Sequence, residues 1–217
     1  MFRYAPPPET AWLPVHADDC LLVVDKPHGL LSVPGRGAER ADSMARRVQA
    51  RHPDALIVHR LDMDTSGLMV FGRGMAMQRA LSMAFEARQV DKRYVALVDG
   101  RLEGEGEVAL PLSADWPNRP RQKVDVEQGK PSLTRYLALD YDAVLDATRV
   151  ALTPVTGRSH QLRLHLQVIG HPILGDPFYA TPAAHAKAPR LLLHADTLAL
   201  PHPLNGMPMR WHCPAPF

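Results

Sequence analysis

The segment His59-Arg60-Leu61-Asp62-Met63-Asp64-Thr65-Ser66-Gly67-Leu68 lies between two apolar stretches and carries the strongest chemical signal in the chain. A carboxylate on a turn held by strands can be a nucleophile, a general base or a structural cap. Taken alone, Asp followed by Thr-Ser-Gly is more often a turn cap. A second segment, Thr156-Gly157-Arg158-Ser159-His160-Gln161-Leu162-Arg163-Leu164-His165, opens what reads as an amphipathic helix. A helix N-terminus beside arginines suits a phosphate or one of the protein's own carboxylates. The same pattern also fits an ordinary surface helix. Third, Lys92-Arg93-Tyr94 begins a strand. Tyr94 offers a ring face for a base and a hydroxyl for hydrogen bonding, although a lone tyrosine there is more often core.

These residues need rigid supports, and the surrounding pattern supplies candidates. Leu21-Leu22-Val23-Val24 reads as a strand ended by the turn Lys26-Pro27-His28-Gly29. Asp42 is placed to cap a helix that turns Met44, Ala45 and Val48 inward and stops by Pro53. Ile57-Val58 lead into the Asp62 turn, and Leu68-Met69-Val70-Phe71 resume as a buried strand. Met77, Leu81, Ala84 and Phe85 recur at helical spacing before the strand Arg93 to Val98. Ser159 is the expected N-cap of the later helix, with Leu162, Leu166 and Ile169 inward, His160, Arg163 and Gln167 on the opposite stripe, and Gly170 as the stop. Residues 113–132 are polar, basic and turn-rich and read as an exposed arm, and the stretch through Pro14 reads as an extended arm. Further strands are expected around Thr134 to Leu139, Thr148 to Leu152, Leu191 to Leu200 and Met209 to His212. Strands that follow one another through short loops exclude a regular doubly wound fold. The expected class is α+β: a mixed, largely antiparallel sheet with flanking helices, in one domain over residues 1–217 that has room for two lobes.

The chain of 217 residues has a formal charge of only +2, so net charge says little about nucleic acid. Its distribution says more, with basic residues gathered at Arg36, Arg40, Arg46, Arg47 and Arg51, at Arg119, Arg121, Lys123 and Lys130, and at Arg158 and Arg163. Such clusters suit a phosphate-lined cleft as well as plain solvated faces. No stretch approaches the roughly 18 apolar residues of a membrane span, and the start lacks the apolar core of a signal peptide, so a cytoplasmic protein is expected. The two cysteines, Cys20 and Cys213, form neither a disulfide framework nor a CxxC knuckle and read as small buried apolar residues.

In order along the chain, His59-Arg60-Leu61-Asp62 with Thr65-Ser66-Gly67, Lys92 with Tyr94, and Gly157 to Arg163 resemble the motifs of the RluA-type pseudouridine synthases, and Lys26-Pro27-His28-Gly29 resembles an earlier family motif. The resemblance covers essentially the whole chain. Asp115 to Pro120, Gly170 to Asp176 and Pro189 to Ala195 resemble a short member that modifies both transfer RNA and 23S ribosomal RNA and has no S4-like domain. The resemblance implies a pseudouridine synthase catalytic fold with a central RNA-binding cleft, and conversion of uridine to pseudouridine at uridine-32 of transfer RNA and uridine-746 of 23S ribosomal RNA. The implied partners are a transfer RNA anticodon stem-loop and a 23S ribosomal RNA stem-loop, with no membrane and no obligate protein partner. It also implies no metal and no cofactor. Asp62 is the implied nucleophile. Arg60 fills the place of the flipped base, Tyr94 packs on the uracil, and Arg163 pairs with Asp62. His59, Arg158, His160, Gln161, Arg119 and Lys123 are the implied RNA contacts. Addition of Asp62 to C1′ and elimination to a glycal both suit this carboxylate.

Other chemistries fit less well. Asp62 and Asp64 are badly spaced for the paired carboxylates of a retaining glycosidase. No HExxH cluster accompanies the eleven histidines. His-Arg-Leu-Asp lacks the asparagine and glycine-rich loop of a kinase. The remaining rivals are a synthase with a single RNA target and a non-catalytic RNA-binding protein.

Overall fold

The computed structural model describes residues 4–9 and 14–217. The extended arm expected through Pro14 therefore falls partly outside the described residues. The chain forms two compact units, one of Met1–Asp91 with Ala195–Pro216 and one of Lys92–His194 with Phe217.

The first unit begins with β1 (His16–Ala17) and β2 (Leu21–Lys26), then α1 (Met44–Gln49), β3 (Ala55–Ile57), β4 (Ser66–Arg73) and α2 (Gly74–Glu86). β2 pairs antiparallel with β1 on one side and β4 on the other, from Leu21 opposite Gly72 to Lys26 opposite Gly67. Leu21 to Val24 are all buried, so both faces of β2 are covered, Leu21 and Val23 on the side where α2 packs. α2 lays Leu81 and Ala84 on Leu21, Val23, Leu68 and Val70, with Phe85 partly buried at the edge of that cluster. α1 is capped by Ser43, whose hydroxyl accepts from Arg46 N–H, and not by Asp42 as the sequence suggested. Asp42 instead takes the Arg47 guanidinium through both oxygens, at 2.9 and 2.7 Å.

The second unit holds β5 (Asp91–Asp99), β6 (Glu105–Ala109), β7 (Leu112–Ala114), β8 (Gln122–Val124), β9 (Leu133–Asp142), β10 (Ala147–Pro154), α3 (Gln161–Val168) and α4 (Pro182–Ala186). β5, β10, β9 and β6 lie side by side in that order, each pair antiparallel. α3 buries Leu162 and Leu166 among Ala96, Val98, Val150 and Leu152. The expected arm is a small hairpin of β7 and β8, joined through a 3-10 turn (Trp116–Asn118). The chain then returns to the first unit, where β11 (Leu193–Pro201) pairs antiparallel with β12 (Pro208–His212). The fold class is thus a mixed, mostly antiparallel sheet with few helices, as expected.

Two features of α3 differ from expectation. Its N-cap is His160, in the left-handed conformation at φ 53° with no side-chain cap, so Ser159 stands outside the helix. Gln161 through Leu166 are all buried, which places Arg163 in the interior and not on a solvated stripe. Gly170, at φ +88°, ends the segment as anticipated.

Candidate active site

In the first unit, Asp62 is half-buried on the turn between β3 and β4, and the backbone on either side of it is bolted down. The buried Ser32 hydroxyl donates to Leu61 C=O at 2.6 Å and accepts from Leu61 N–H at 3.0 Å. On the other side, Lys26 Nζ donates to Met63 C=O at 3.0 Å and to Pro27 and Leu30 C=O at 2.8 Å each. Lys26 is fully buried, so its charge rests on these carbonyl dipoles in place of water. Thr65 N–H closes the turn onto Asp62 C=O. Gly67 follows at φ +116°, where an added Cβ would run into the backbone of Ala195. Glycine is therefore required where β4 leaves the turn.

Two neighbours of Asp62 have different exposures. Arg60 is exposed. His59 stacks on Phe85 with ring centroids 4.7 Å apart, and its Nε2 accepts from Val70 N–H at 3.1 Å. That nitrogen of His59 is engaged with the fold, which makes the ring a support for the turn.

In the second unit, Tyr94 is half-buried on β5 opposite Leu152 and packs beside the core of that unit. Arg163 and Asp176 form a two-pronged ion pair, Nε to Oδ2 and Nη2 to Oδ1, both at 2.7 Å, with side-chain exposures of 1% and 0%. Asp176 Oδ1 also accepts from the N–H groups of Phe178 and Tyr179. The Gln161 amide is occupied within the unit. Its oxygen accepts from Thr156 hydroxyl and Arg158 N–H, and its nitrogen donates to Leu133 C=O and Thr134 hydroxyl. Gln161 is therefore a frame for the turn before α3. His160 Nδ1 lies 2.8 Å from Tyr179 hydroxyl. The exposed Arg158 bonds Pro131 C=O through Nε. Arg119 and Lys123 are exposed on the hairpin, with the Arg119 guanidinium 3.1 Å from the centroid of the Trp116 ring.

The basic clusters are unequal in their access to solvent. Arg47 is buried, donating to Asp42 and to Pro7 C=O, and it holds the Asp42 carboxyl below the usual range. Cys20 is buried as expected, whereas Cys213 is half-buried, with its thiol pushed up to about 12 by burial and then by Asp25. Asp18, Cys20 and His202 bring donor atoms within 4.8 Å of one another. Leu204 N–H donates to His202 Nδ1, which leaves the proton on Nε2 in the neutral ring and turns it toward Asp18 at 3.5 Å. That arrangement is a hydrogen-bonded corner and poorly suited to a metal.

Ser32 and Tyr179 carry no signal of a role in the sequence, and Asp176 stands out there only as the end of the Gly170 to Asp176 segment. A serine within an apolar run, and an aspartate and tyrosine in Gly-Asp-Pro-Phe-Tyr, carry no periodic signal. Their importance comes from what they touch.

Residues 20–168 match the family model described as RNA pseudouridylate synthase. The chain is 52% identical over 213 residues to the Dual-specificity RNA pseudouridine synthase RluA of Escherichia coli strain K12, covering 97% of each chain. It is 49% identical over 218 residues to the protein of the same name from Pasteurella multocida, covering 100% of this chain and 99% of that one. Among solved structures, Human RNA Pseudouridylate Synthase Domain Containing 1 superposes with a TM-score of 0.81 at 26% identity, covering 98% of this chain and 87% of that one.

Proposed function

The chain belongs to the RNA pseudouridylate synthase family and isomerises uridine to pseudouridine in RNA, and on that premise we propose that Asp62 is its nucleophile and that stem-loops of transfer RNA and 23S ribosomal RNA are its substrates. The observation that carries the assignment is the two-sided clamp on the Asp62 backbone, by Ser32 at Leu61 and by Lys26 at Met63. A nucleophile that must meet one ribose carbon gains from a backbone held to a fraction of an ångström.

The reaction breaks the bond between C1′ and N1, turns the base and joins C1′ to C5. The Asp62 carboxylate acts at the sugar, as a glycosidase carboxylate does. The target base is first flipped from its stack, at a cost of a few kcal/mol. Arg60, exposed beside Asp62, fills the space the base leaves. Tyr94 packs on the uracil and assists loss of the C5 proton. Arg163 orients Asp62, with its own guanidinium set by Asp176. Arg158, Arg119 and Lys123 bind phosphates of the loop, while His59 and Gln161 support the turns that carry Asp62 and α3. No metal, cofactor or obligate protein partner enters this scheme, and the place of action is the cytoplasm.

Loops suit this enzyme because their bases can be splayed out and read by shape and stacking, whereas paired A-form RNA hides its base edges. Short isolated stem-loops of both kinds should release tritium from C5-labelled uridine, and scrambling the loop should hurt more than exchanging stem pairs. Modification of one kind alone means a single-target synthase. If total cellular RNA is modified and neither stem-loop is, the substrate assignment is wrong while the chemistry stands.

A further inference from the structure

The hairpin of β7 and β8 is the most basic exposed projection described in the second unit, with Arg119, Arg121 and Lys123 exposed around its 3-10 turn and second strand. Trp116 is 70% exposed and carries Arg119 against its ring, an aromatic and cationic pairing suited to a nucleobase. Each strand has only three residues, and a two-stranded hairpin of that size is marginal in water by itself. Its base is tied by mutual backbone bonds between Leu112 and Lys130 and by Asp125 N–H to Pro111 C=O. Those bonds fix where the hairpin starts. They leave the direction of its basic end to a second anchor.

That anchor is the Tyr179 hydroxyl. It accepts from Gln122 N–H at 2.8 Å, at the start of β8 and within three residues of Arg119, Arg121 and Lys123. It also lies 2.8 Å from His160 Nδ1, at the left-handed residue that opens α3. Tyr179 is itself placed firmly, because its N–H and that of Phe178 donate to the buried Asp176 carboxylate. The His160 ring lies nearly parallel to Phe178, at 13°, and meets Tyr179 edge-on. The Tyr179 hydroxyl thus connects the basic hairpin to the turn before α3, while its backbone N–H ties the residue to the Arg163–Asp176 pair.

We propose that Tyr179 is a positioning residue for RNA binding: its hydroxyl holds the basic hairpin in the orientation that engages the RNA loop. This deepens the stem-loop reading and rests on it. Removing the hydroxyl leaves every charge on the hairpin in place, so the effect falls on how well those charges are aimed.

The test is Tyr179→Phe in the full chain, with tritium release from a C5-labelled stem-loop measured across RNA concentration. KM should rise three- to ten-fold while kcat at saturation stays within two-fold of the parent. In a background of Arg119→Ala, Arg121→Ala and Lys123→Ala, the same change should raise KM less than two-fold, because the groups it aims are gone. Tyr141→Phe, whose hydroxyl bonds Asp146 instead, should change neither constant. An unchanged KM in Tyr179→Phe, a loss confined to kcat, or an undiminished effect in the triple-alanine background would each overturn the proposal. If the parent modifies total cellular RNA but no stem-loop, the substrate reading fails; the comparison is then made on total RNA, where the same split between KM and kcat is required.

Discussion

Asp176→Asn should be among the most damaging single changes in the second unit. The substitution keeps the shape of the side chain and leaves one oxygen to accept from Phe178 and Tyr179 N–H, so what is lost is the negative charge opposite Arg163 and the acceptor for its Nε–H. Arg163 has a side-chain exposure of 1%, and water cannot replace that charge. Breaking a buried pair by removing the charge of one partner costs about 3–5 kcal/mol. At 1.36 kcal/mol per decade this is roughly 2.2 to 3.7 orders of magnitude in the folding equilibrium. The control is Glu107→Gln, since Arg135 and Glu107 are paired at 2.6 Å but are 60% and 52% exposed. Exposed pairs contribute at most about 1 kcal/mol. Urea unfolding followed by far-ultraviolet circular dichroism reads both variants. A loss in Asp176→Asn no larger than in Glu107→Gln would refute the reasoning from burial.

Lys26→Met leaves the carbonyls of Pro27, Leu30 and Met63 without their ammonium, and buried unpaired groups cost about 1–3 kcal/mol each. The melting temperature should fall, and kcat should drop more than RNA affinity because the Met63 side of the Asp62 turn is loosened; unchanged kcat in a destabilised variant would remove Lys26 from the positioning of Asp62. His165 is fully buried, bonded to Thr134 hydroxyl and Leu110 C=O, and burial holds its imidazole below the ordinary value. The unfolded chain takes up a proton at that position near pH 6.5 while the folded one does not. Its contribution is therefore complete above about pH 6.5 and declines as pH falls toward the lowered folded value, with a slope of at most about 1.4 kcal/mol per pH unit. His165→Asn should flatten that part of the stability profile, and an unaltered slope would contradict the assignment.

The sequence made the strands legible where burial makes long apolar runs. Leu21 to Val24 and Leu68 to Phe71 were visible because both runs are almost wholly buried. β6 was not visible, because in Glu-Gly-Glu-Val-Ala only Val108 is buried and the other inward position is a glycine, so the alternating burial leaves no apolar alternation in the sequence. The cap of α1 was misplaced by one residue since Asp42 and Ser43 are both capping types. Arg47, five residues on, takes Asp42 and so leaves the cap to Ser43. The motif around Asp62 was legible, but what holds it was only partly so. Lys26 and Arg163 are residue types that normally face water, and they are interior here because the neighbouring carbonyls of Pro27 and Leu30 with the distant one of Met63 receive Lys26, and the Asp176 carboxylate receives Arg163. Gln161 stood out in its motif, yet its four bonds to Thr156, Arg158, Leu133 and Thr134 could not be read from spacing.

The assignment of Asp62 is tested most directly by single-turnover tritium release with Asp62→Asn and Asp64→Asn, each verified as homogeneous and folded. The amide in Asp62→Asn is nearly isosteric with the carboxylate but a poor nucleophile. Asp62→Asn should bind stem-loop RNA close to the parent and release no tritium above background, while Asp64→Asn keeps most of the parent rate. Near-normal release by Asp62→Asn, or equal loss in the two variants, would contradict the placement of the nucleophile at Asp62.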